Sequence, residues 1–252
     1  MILNDNDTIH QWQMHLLGDH AIVFSLNEKM DLQINMEVHA FNQFIQRKKI
    51  NAFKDFIPAY HTLTVVYDIV ELQVLLNQKN KEISLNEFAQ SFIKEFIQLK
   101  QENTSFELTT KTIKVPVCYD LDFGIDLEKI AKEKNKSIEE IIQIHCSKTY
   151  RVFCLGFMPG FAYMGEVDKT IQVARHPKPR PLVYAGSVGI AGAQTGIYPK
   201  DAPGGWQIIG RTPLTIFDPI NLAMFAPGDL VSFYAITLAE FNSMKKNVMH
   251  EN

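Results

Sequence analysis

Four of the five arginines, Arg151, Arg175, Arg180 and Arg211, fall in the second half of the chain, although lysine outnumbers arginine fourfold overall. A guanidinium offers a planar fork of N–H donors that matches a carboxylate or a phosphate. A lysine-rich chain that places arginine here is either using that fork or grouping it by chance. Rings and hydrogen-bonding groups occupy the same region. GFMPGFAYMG (156–165) presents Phe157, Phe161 and Tyr163, and a later stretch presents Gln194, Thr195, Tyr198 and Trp206. If the turns that carry them share one end of a barrel, they make an aromatic cleft with a few amides and hydroxyls, the composition of a small-molecule or peptide site. If they do not, the rings are core. RHPKPRP (175–181) alternates proline with basic residues and predicts extended polyproline II, either a solvated strap or an anion-facing rim beside the cleft.

Other chemistry is thinly represented. His145 shares a helical face with Ile138, Ile141 and Ile142, where a histidine is either a core residue with satisfied ring nitrogens or a catalytic one. Cys154 sits in the apolar run VFCLGF with no activating neighbour in sequence and reads as a packed thiol. Cys118, Cys146 and Cys154 form no C-x-x-C pair, and there is no H-E-x-x-H, G-x-S-x-G or acidic metal cluster. Chemistry carried by this chain alone is therefore doubtful, and no metal is expected.

Whole-chain properties narrow the classes. With 252 residues, 46% hydrophobic and 21% charged, the chain is long enough for two ordinary domains and too apolar for disorder. A net charge of -3 gives no long-range attraction to nucleic acid or anionic lipid, so neither is an expected partner. MILNDND does not read as a secretory signal, and no apolar stretch approaches a membrane span. Unpaired cysteine and the absence of these signals imply a reduced, cytoplasmic protein.

The elements that must position these residues change character near Lys111. Gly18 and Pro58 are the only glycine and proline before residue 110. The composition divides the chain into residues 1–108 and 109–252. In the first part, Trp12, Met14 and Leu16 alternate with polar residues, Gly18-Asp19 supplies a turn and Ala21–Phe24 follows, a hairpin pattern. Ile34, Val38, Phe41 and Ile45 line one face of a helix over 31–48. LTVVY (63–67) is β-branched and predicts a strand. Ser84-x-x-Glu87 is a capping box opening a helix over 84–101, with Leu85, Phe88, Ala89, Phe92, Ile93 and Phe96 in one stripe. An extended segment at 107–117 completes the order β-β-α-β-α-β, an open-faced sandwich of the ferredoxin-like kind. Residues 126–146 predict two short helices, capped by Asp126 and by the Ser137-x-x-Glu140 box. Beyond Arg151 short apolar runs punctuated by Gly and Pro predict a closed or sandwiched β structure, and the whole is of the α+β class.

Seven of the 13 glycines lie between residues 186 and 214. Gly186, Gly189 and Gly192 recur every third residue, which fits neither a strand nor a dinucleotide fingerprint, and no Walker A ending follows. The run reads as a long ordered loop whose backbone N–H groups could host an anion or an adjacent chain, or else as a structural barrel corner. Pro159-Gly160 and Pro203-Gly204-Gly205 suit type II turns.

Taken together, YRVFCLGFMPGFAYMG, RHPKPRPLVYAGSVGIAGAQTGIYPKDAPGGWQIIGRTPLTIFDP and FAPGDLVSFYAI resemble the family of 5-oxoprolinase B-type subunits, which includes KipI-like and allophanate hydrolase small-subunit proteins. The likeness runs from about residue 110 to 237. It implies a ferredoxin-like N-terminal domain followed by a cyclophilin-like β-barrel. It also implies a protein that works with a sister carboxyltransferase-type subunit and a third subunit to open the lactam of 5-oxoproline to glutamate, with ATP as co-substrate of the complex and no cofactor held tightly by this chain. On that reading Arg151, Gln194, Thr195 and Arg211 serve the chemistry: an arginine at the substrate carboxylate or a phosphate, Gln194 and Thr195 as hydrogen-bonding groups, Arg211 at an anion or at the subunit seam. Phe157, Phe161, Tyr163, Arg175, Arg180, Ser187, Tyr198 and Trp206 would line the substrate site. Relatives that inhibit a sensor histidine kinase, or that form the carboxyltransferase half of a biotin-dependent urea carboxylase and allophanate hydrolase system, supply the alternatives. Peptidyl-prolyl isomerisation is suggested by barrel type alone.

Overall fold

The computed structural model describes residues 12–27, 31–78, 83–102, 106 and 110–250. The acidic start MILNDND and residues 107–109 of the expected extended segment lie outside the described residues. The chain divides into two compact units, Met1–Thr109 and Thr110–Asn252. It is a mixed α and β protein with six helices among the described residues.

The first unit runs β1 (Trp12–Leu17), β2 (Ala21–Leu26), α1 (Leu32–Arg47), β3 (Phe53–Ala59), β4 (Thr62–Tyr67), α2 (Ile69–Gln78) and α3 (Leu85–Gln101). Its four strands form an antiparallel sheet in the order β1-β2-β4-β3. The hairpin turns at Gly18, whose φ of 62° a side chain would resist. Helix α1 buries Ile34, Val38, Phe41 and Ile45 and adds Asn35 and Phe44 to the same face. The box at Ser84 and Glu87 closes in both directions and starts α3, which buries Phe88, Ala89, Phe92 and Phe96. Rings from both helices and β1 meet: Trp12 lies 4.5 Å from Phe41, and Phe41 lies 5.0 Å from Phe96.

Two features differ from the expected order. FKDFIPA lacks clean alternation yet forms β3, and it lies at the sheet edge, where Pro58 need not supply an N–H to a further strand. The strand after α3 belongs to the other unit. Thr112–Cys118, here β5, pairs in parallel with a strand near the C-terminus, so the expected β-β-α-β-α-β order of the first domain is replaced by β-β-α-β-β-α-α.

The second unit continues with α4 (Leu127–Lys134), α5 (Ile138–Cys146), β6 (Thr149–Leu155), β7 (Ala162–Gly165), β8 (Arg180–Val183), β9 (Ser187–Ala191) and β10 (Gln194–Ile197). It ends with β11 (Ala202–Gly204), β12 (Gln207–Arg211), β13 (Phe217–Asp218), β14 (Leu222–Ala223), β15 (Leu230–Ile236) and α6 (Leu238–His250). Seven strands close a barrel in the order β10-β7-β6-β15-β5-β12-β9, and β8 and β11 pair as a separate ribbon. Alternate residues turn into one core, among them Val115 and Val117, Tyr150 and Val152, Val188 and Ile190, Val231 and Phe233. Leu127, Ile130 and Ile141 of α4 and α5 join it. Each such side chain, fully buried, contributes about 1.5–3 kcal/mol of transfer free energy.

The glycine run is not a loop. Residues 187–197 form the β9–β10 hairpin of the barrel wall, so most of the run's backbone is committed to sheet pairing. Gly189 and Gly196 face each other across it, and neighbouring groups crowd both: a Cβ at Gly189 would lie 3.1 Å from Trp206 Cβ and 3.3 Å from the Gln207 carbonyl oxygen. A Cβ at Gly196 would stand 2.8 Å from the Ala162 carbonyl oxygen and 3.2 Å from Phe161 and Trp206 ring carbons. Gly160 has the positive φ of a turn, 84°, whereas Gly204 does not: it is the last residue of β11, and the Tyr198 ring rests against it.

Candidate functional site

At the end of β12, Arg211 pairs across the barrel wall with Ser187 of β9. Both line a cleft of about 100 Å³, together with Asp122, Phe123, Leu182 and Tyr184. The Arg211 guanidinium lies between two rings, its Cζ 5.2 Å from the Tyr184 centroid and 5.7 Å from that of Phe123. Its Nε donates to the Ala185 carbonyl at 2.8 Å, and Asp201 Oδ1 accepts from the Ala185 N–H at 2.7 Å. The chain from Asp201 through Ala185 thus fixes one edge of the fork. Among the described residues no carboxylate lies within ion-pair distance of Arg211 and neither Nη group has a hydrogen bond. Burial lowers its pKa from the ordinary value, and Asp201 and Tyr184 oppose that shift. Gly186 makes room for this arrangement: at φ 82°, a Cβ there would lie 2.5 Å from the Thr212 carbonyl oxygen and 3.4 Å from Arg211 Cγ.

The predicted ring residues do converge, but into packing rather than into an open cleft. Phe161 is the hub, with ring centroids 4.9 Å from Tyr163, 5.4 Å from Tyr198, 5.3 Å from Trp206 and 5.5 Å from Phe157. Phe161, Tyr198 and Trp206 are buried together with Val183 and Ile208, and those last two also line the Arg211 cleft. The ring cluster is therefore the floor on which the cleft is built. Only Phe157 stands out to solvent, and Arg175 covers the Trp206 ring from the exposed side at 5.8 Å.

Arg180 is occupied. Its Nη2 donates to Asp126 Oδ1 at 2.5 Å and its Nη1 to the Trp206 carbonyl at 3.3 Å. Asp126 Oδ2 accepts from the Ile208 N–H at 2.6 Å, and His176 Nε2 lies 3.3 Å from Oδ1 without the alignment of a hydrogen bond. Asp126 stands at the start of α4 but makes no side-chain cap there. The expected cap is replaced by a buried carboxylate that ties the 175–181 strap and β12 to the helix.

Arg151 and the remaining polar candidates lie apart from the cleft. On β6, Arg151 is three strands from β12 around the barrel, buried near Asp229. Burial lowers its pKa and Asp229 raises it. Gln194, half-buried, pairs with Gly165 and Ala191. Thr195 is fully buried. Its hydroxyl donates to the Gly189 carbonyl at 3.0 Å and lies 3.1 Å from His145 Nε2, while His145 Nδ1 lies 2.8 Å from the Tyr119 hydroxyl. Burial alone brings the His145 pKa down to about 3, so the ring is neutral, donating through Nε2 and accepting at Nδ1. It stacks on Phe233 at 4.6 Å, a core histidine with both nitrogens satisfied.

Phe123, Tyr184, Asp122 and Asp201 were not signalled by any motif. Asp122 and Phe123 precede α4 and are far from Arg211 in sequence, and only barrel closure joins them. Two more open depressions lie on the first unit, one holding Lys54 already paired with Glu71 at 2.7 Å, the other beside Trp12 and Lys94. Among the described residues no group of three or more His, Cys, Asp or Glu is disposed to hold a metal, and no helix is long and apolar enough to cross a membrane.

Comparison with known proteins gives this geometry a family. The model of the carboxyltransferase domain, subdomain C and D, matches residues 12–226. The chain is 39% identical over 238 residues to the B-type subunit of a 5-oxoprolinase from Bacillus subtilis, covering 94% of this chain and 98% of that protein. The crystal structure of TTHA0988 is 29% identical and superposes with a TM-score of 0.69 over 86% of this chain, which spans 40% of that longer one. The Kluyveromyces lactis urea carboxylase structure, 18% identical, shares the fold with a TM-score of 0.72 over 94% of this chain and 23% of its own.

Proposed function

This chain belongs to the carboxyltransferase subdomain C and D family, and from that premise we propose that it is the B-type subunit of a 5-oxoprolinase. The complex would open the lactam of 5-oxo-L-proline to L-glutamate with ATP as co-substrate. The identity of 39% over nearly the whole of both chains carries this reading. A lactam is a poor electrophile, and phosphorylation of its oxygen by ATP creates a leaving group that lets water attack the ring carbon. The barrel, of cyclophilin-like kind, supplies part of that site. A cleft of about 100 Å³ is small beside the ~300–1,000 Å³ of drug-sized pockets. In this proposal ATP is a co-substrate of the complex, with none held tightly by this chain.

Two partners are proposed, a sister barrel subunit and a third subunit. The rim of the cleft supports the first: Ile125, Leu182 and Tyr184 are each about half exposed around Arg211, an apolar margin suited to being covered by a sister chain. Co-expression with both partners should yield ATP-dependent glutamate from 5-oxo-L-proline, and this chain alone should yield none. Partner-free turnover contradicts the shared site. A complex that instead carboxylates urea through a biotinylated partner replaces this reading with the carboxyltransferase one.

A further inference from the structure

We infer that the cleft at Arg211 binds a compact organic acid carrying both a carboxylate and an N–H donor, with Arg211 holding the carboxylate and Asp122 accepting from the N–H. The inference rests on the 5-oxoprolinase reading only for the identity of its natural ligand.

Three observations carry it. Arg211 is held in place on its Nε edge by Ala185, itself held by Asp201, and between the Phe123 and Tyr184 rings, while both Nη groups are without partners among the described residues. A guanidinium fixed on one edge and open on the other is oriented to bind a carboxylate in bidentate fashion. The cleft's volume of about 100 Å³ matches the scale of one small molecule. Its charge selects among small acids. Asp122 lines the same cleft, so a simple anion there meets a carboxylate as well as the guanidinium. A ligand that also donates an N–H turns Asp122 from a repulsive group into an acceptor. Ser187, buried and paired with Arg211, adds a hydroxyl on the cleft lining, and Ile208 and Val183 give it an apolar floor for the ligand's carbon skeleton.

The test is equilibrium binding to the co-purified complex and to the chain alone, by calorimetry, with four probes: 5-oxo-L-proline, 5-oxo-L-prolinamide, N-acetylglycine and acetate. Wild type should bind the acid at least about tenfold tighter than the amide, the loss expected when a charge-assisted fork is removed. N-acetylglycine should bind more tightly than acetate. Arg211→Ala should abolish the preference for acid over amide, and Arg211→Lys, which keeps the charge and the fold but not the fork, should retain only part of it. Asp122→Asn should narrow the gap between N-acetylglycine and acetate. If 5-oxo-L-proline binds and Arg211→Ala leaves its preference over the amide intact, the cleft assignment falls while the 5-oxoprolinase reading stands. If 5-oxo-L-proline neither binds nor turns over but N-acetylglycine binds in an Arg211-dependent way, the cleft stands and the 5-oxoprolinase reading falls. No Arg211-dependent binding of any probe, in complex or alone, overturns the inference.

Discussion

Inside the barrel, His145 and Thr195 meet Tyr119 and the Gly189 carbonyl, and every donor among them finds an acceptor. At the barrel's rim, Arg211 is fixed on one edge and left with unused donors on the other. Both regions hold residue types that could do chemistry, and both are polar groups drawn out of water. The difference is in their unspent hydrogen-bonding capacity. A buried polar group whose valences are filled stabilises and specifies the core, whereas one with donors left over in an accessible cleft is poised for a ligand. Substitutions in the first region should therefore change stability and spare binding. Those in the second should do the reverse.

The largest expected effect is at Asp126, which is spent like the interior groups although it lies near the cleft. Asp126→Ala leaves Arg180 three-quarters buried without its carboxylate and the Ile208 N–H without an acceptor. Removing one partner of such a pair costs about 3 kcal/mol or more. Trp12 and Trp206 are the chain's two tryptophans, one in each unit, so a Trp12→Phe background makes urea unfolding followed by fluorescence a reading of the barrel alone. A loss below about 1 kcal/mol would mean that Asp126 is not the anchor that the geometry describes.

Acid separates the regions next. His145 takes a proton near pH 6.5 in the unfolded chain and only near pH 3 in the folded barrel. Between those values the unfolded state holds the extra proton, so stability falls as pH falls, by about 1.4 kcal/mol per unit, and the loss levels off below about pH 3. Urea unfolding of the same background at pH 6.5, 5.5 and 4.5 should show this slope, and His145→Gln should flatten it by about one proton. Equal slopes in the two proteins would place the acid sensitivity elsewhere.

Thr195→Val is the sharper probe, since it keeps the shape and deletes one hydroxyl. The variant strands the His145 Nε2 N–H and should cost the barrel about 1–3 kcal/mol while leaving carboxylate binding unchanged for the folded fraction. If a fully stable Thr195→Val complex loses turnover, Thr195 belongs to the chemistry and the division between the two regions fails.

Much of this arrangement is legible in the sequence, and the rest is hidden there for identifiable reasons. The capping boxes at Ser84 and Ser137 and the stripe of α3 are local patterns, and they form as read. The meeting of Phe157, Phe161, Tyr163, Tyr198 and Trp206 follows from turns joining neighbouring strands of a closed sheet. The glycines misled because their cause is long-range: Gly196 is glycine on account of Phe161 and Trp206, and spacing within the run contains no record of those rings. Asp126 misled for the converse reason. Its place before α4 matches a cap, but a buried arginine 54 residues away takes its oxygen instead. The aromatic clamp on Arg211 joins residues from a loop, the β8–β9 connection and β12, a union that only barrel closure creates.

The smallest effect asks what holds Arg211 still. Asp201 does not touch the guanidinium through any hydrogen bond among the described residues; it accepts from the Ala185 N–H, and the Ala185 carbonyl accepts from Arg211 Nε. If that link positions the fork, the acceptor at 201 matters and its charge matters less. Asp201→Ala should weaken 5-oxo-L-proline about fivefold, equivalent to about 1 kcal/mol for one lost hydrogen bond, without lowering barrel stability by a comparable amount. Asp201→Asn keeps an oxygen in place and should bind nearly as well as wild type. Should the Asn variant weaken as far as the Ala variant, the charge of Asp201 holds Arg211 rather than the backbone link, and the open region is an electrostatic pair in loose contact instead of a hydrogen-bonded frame.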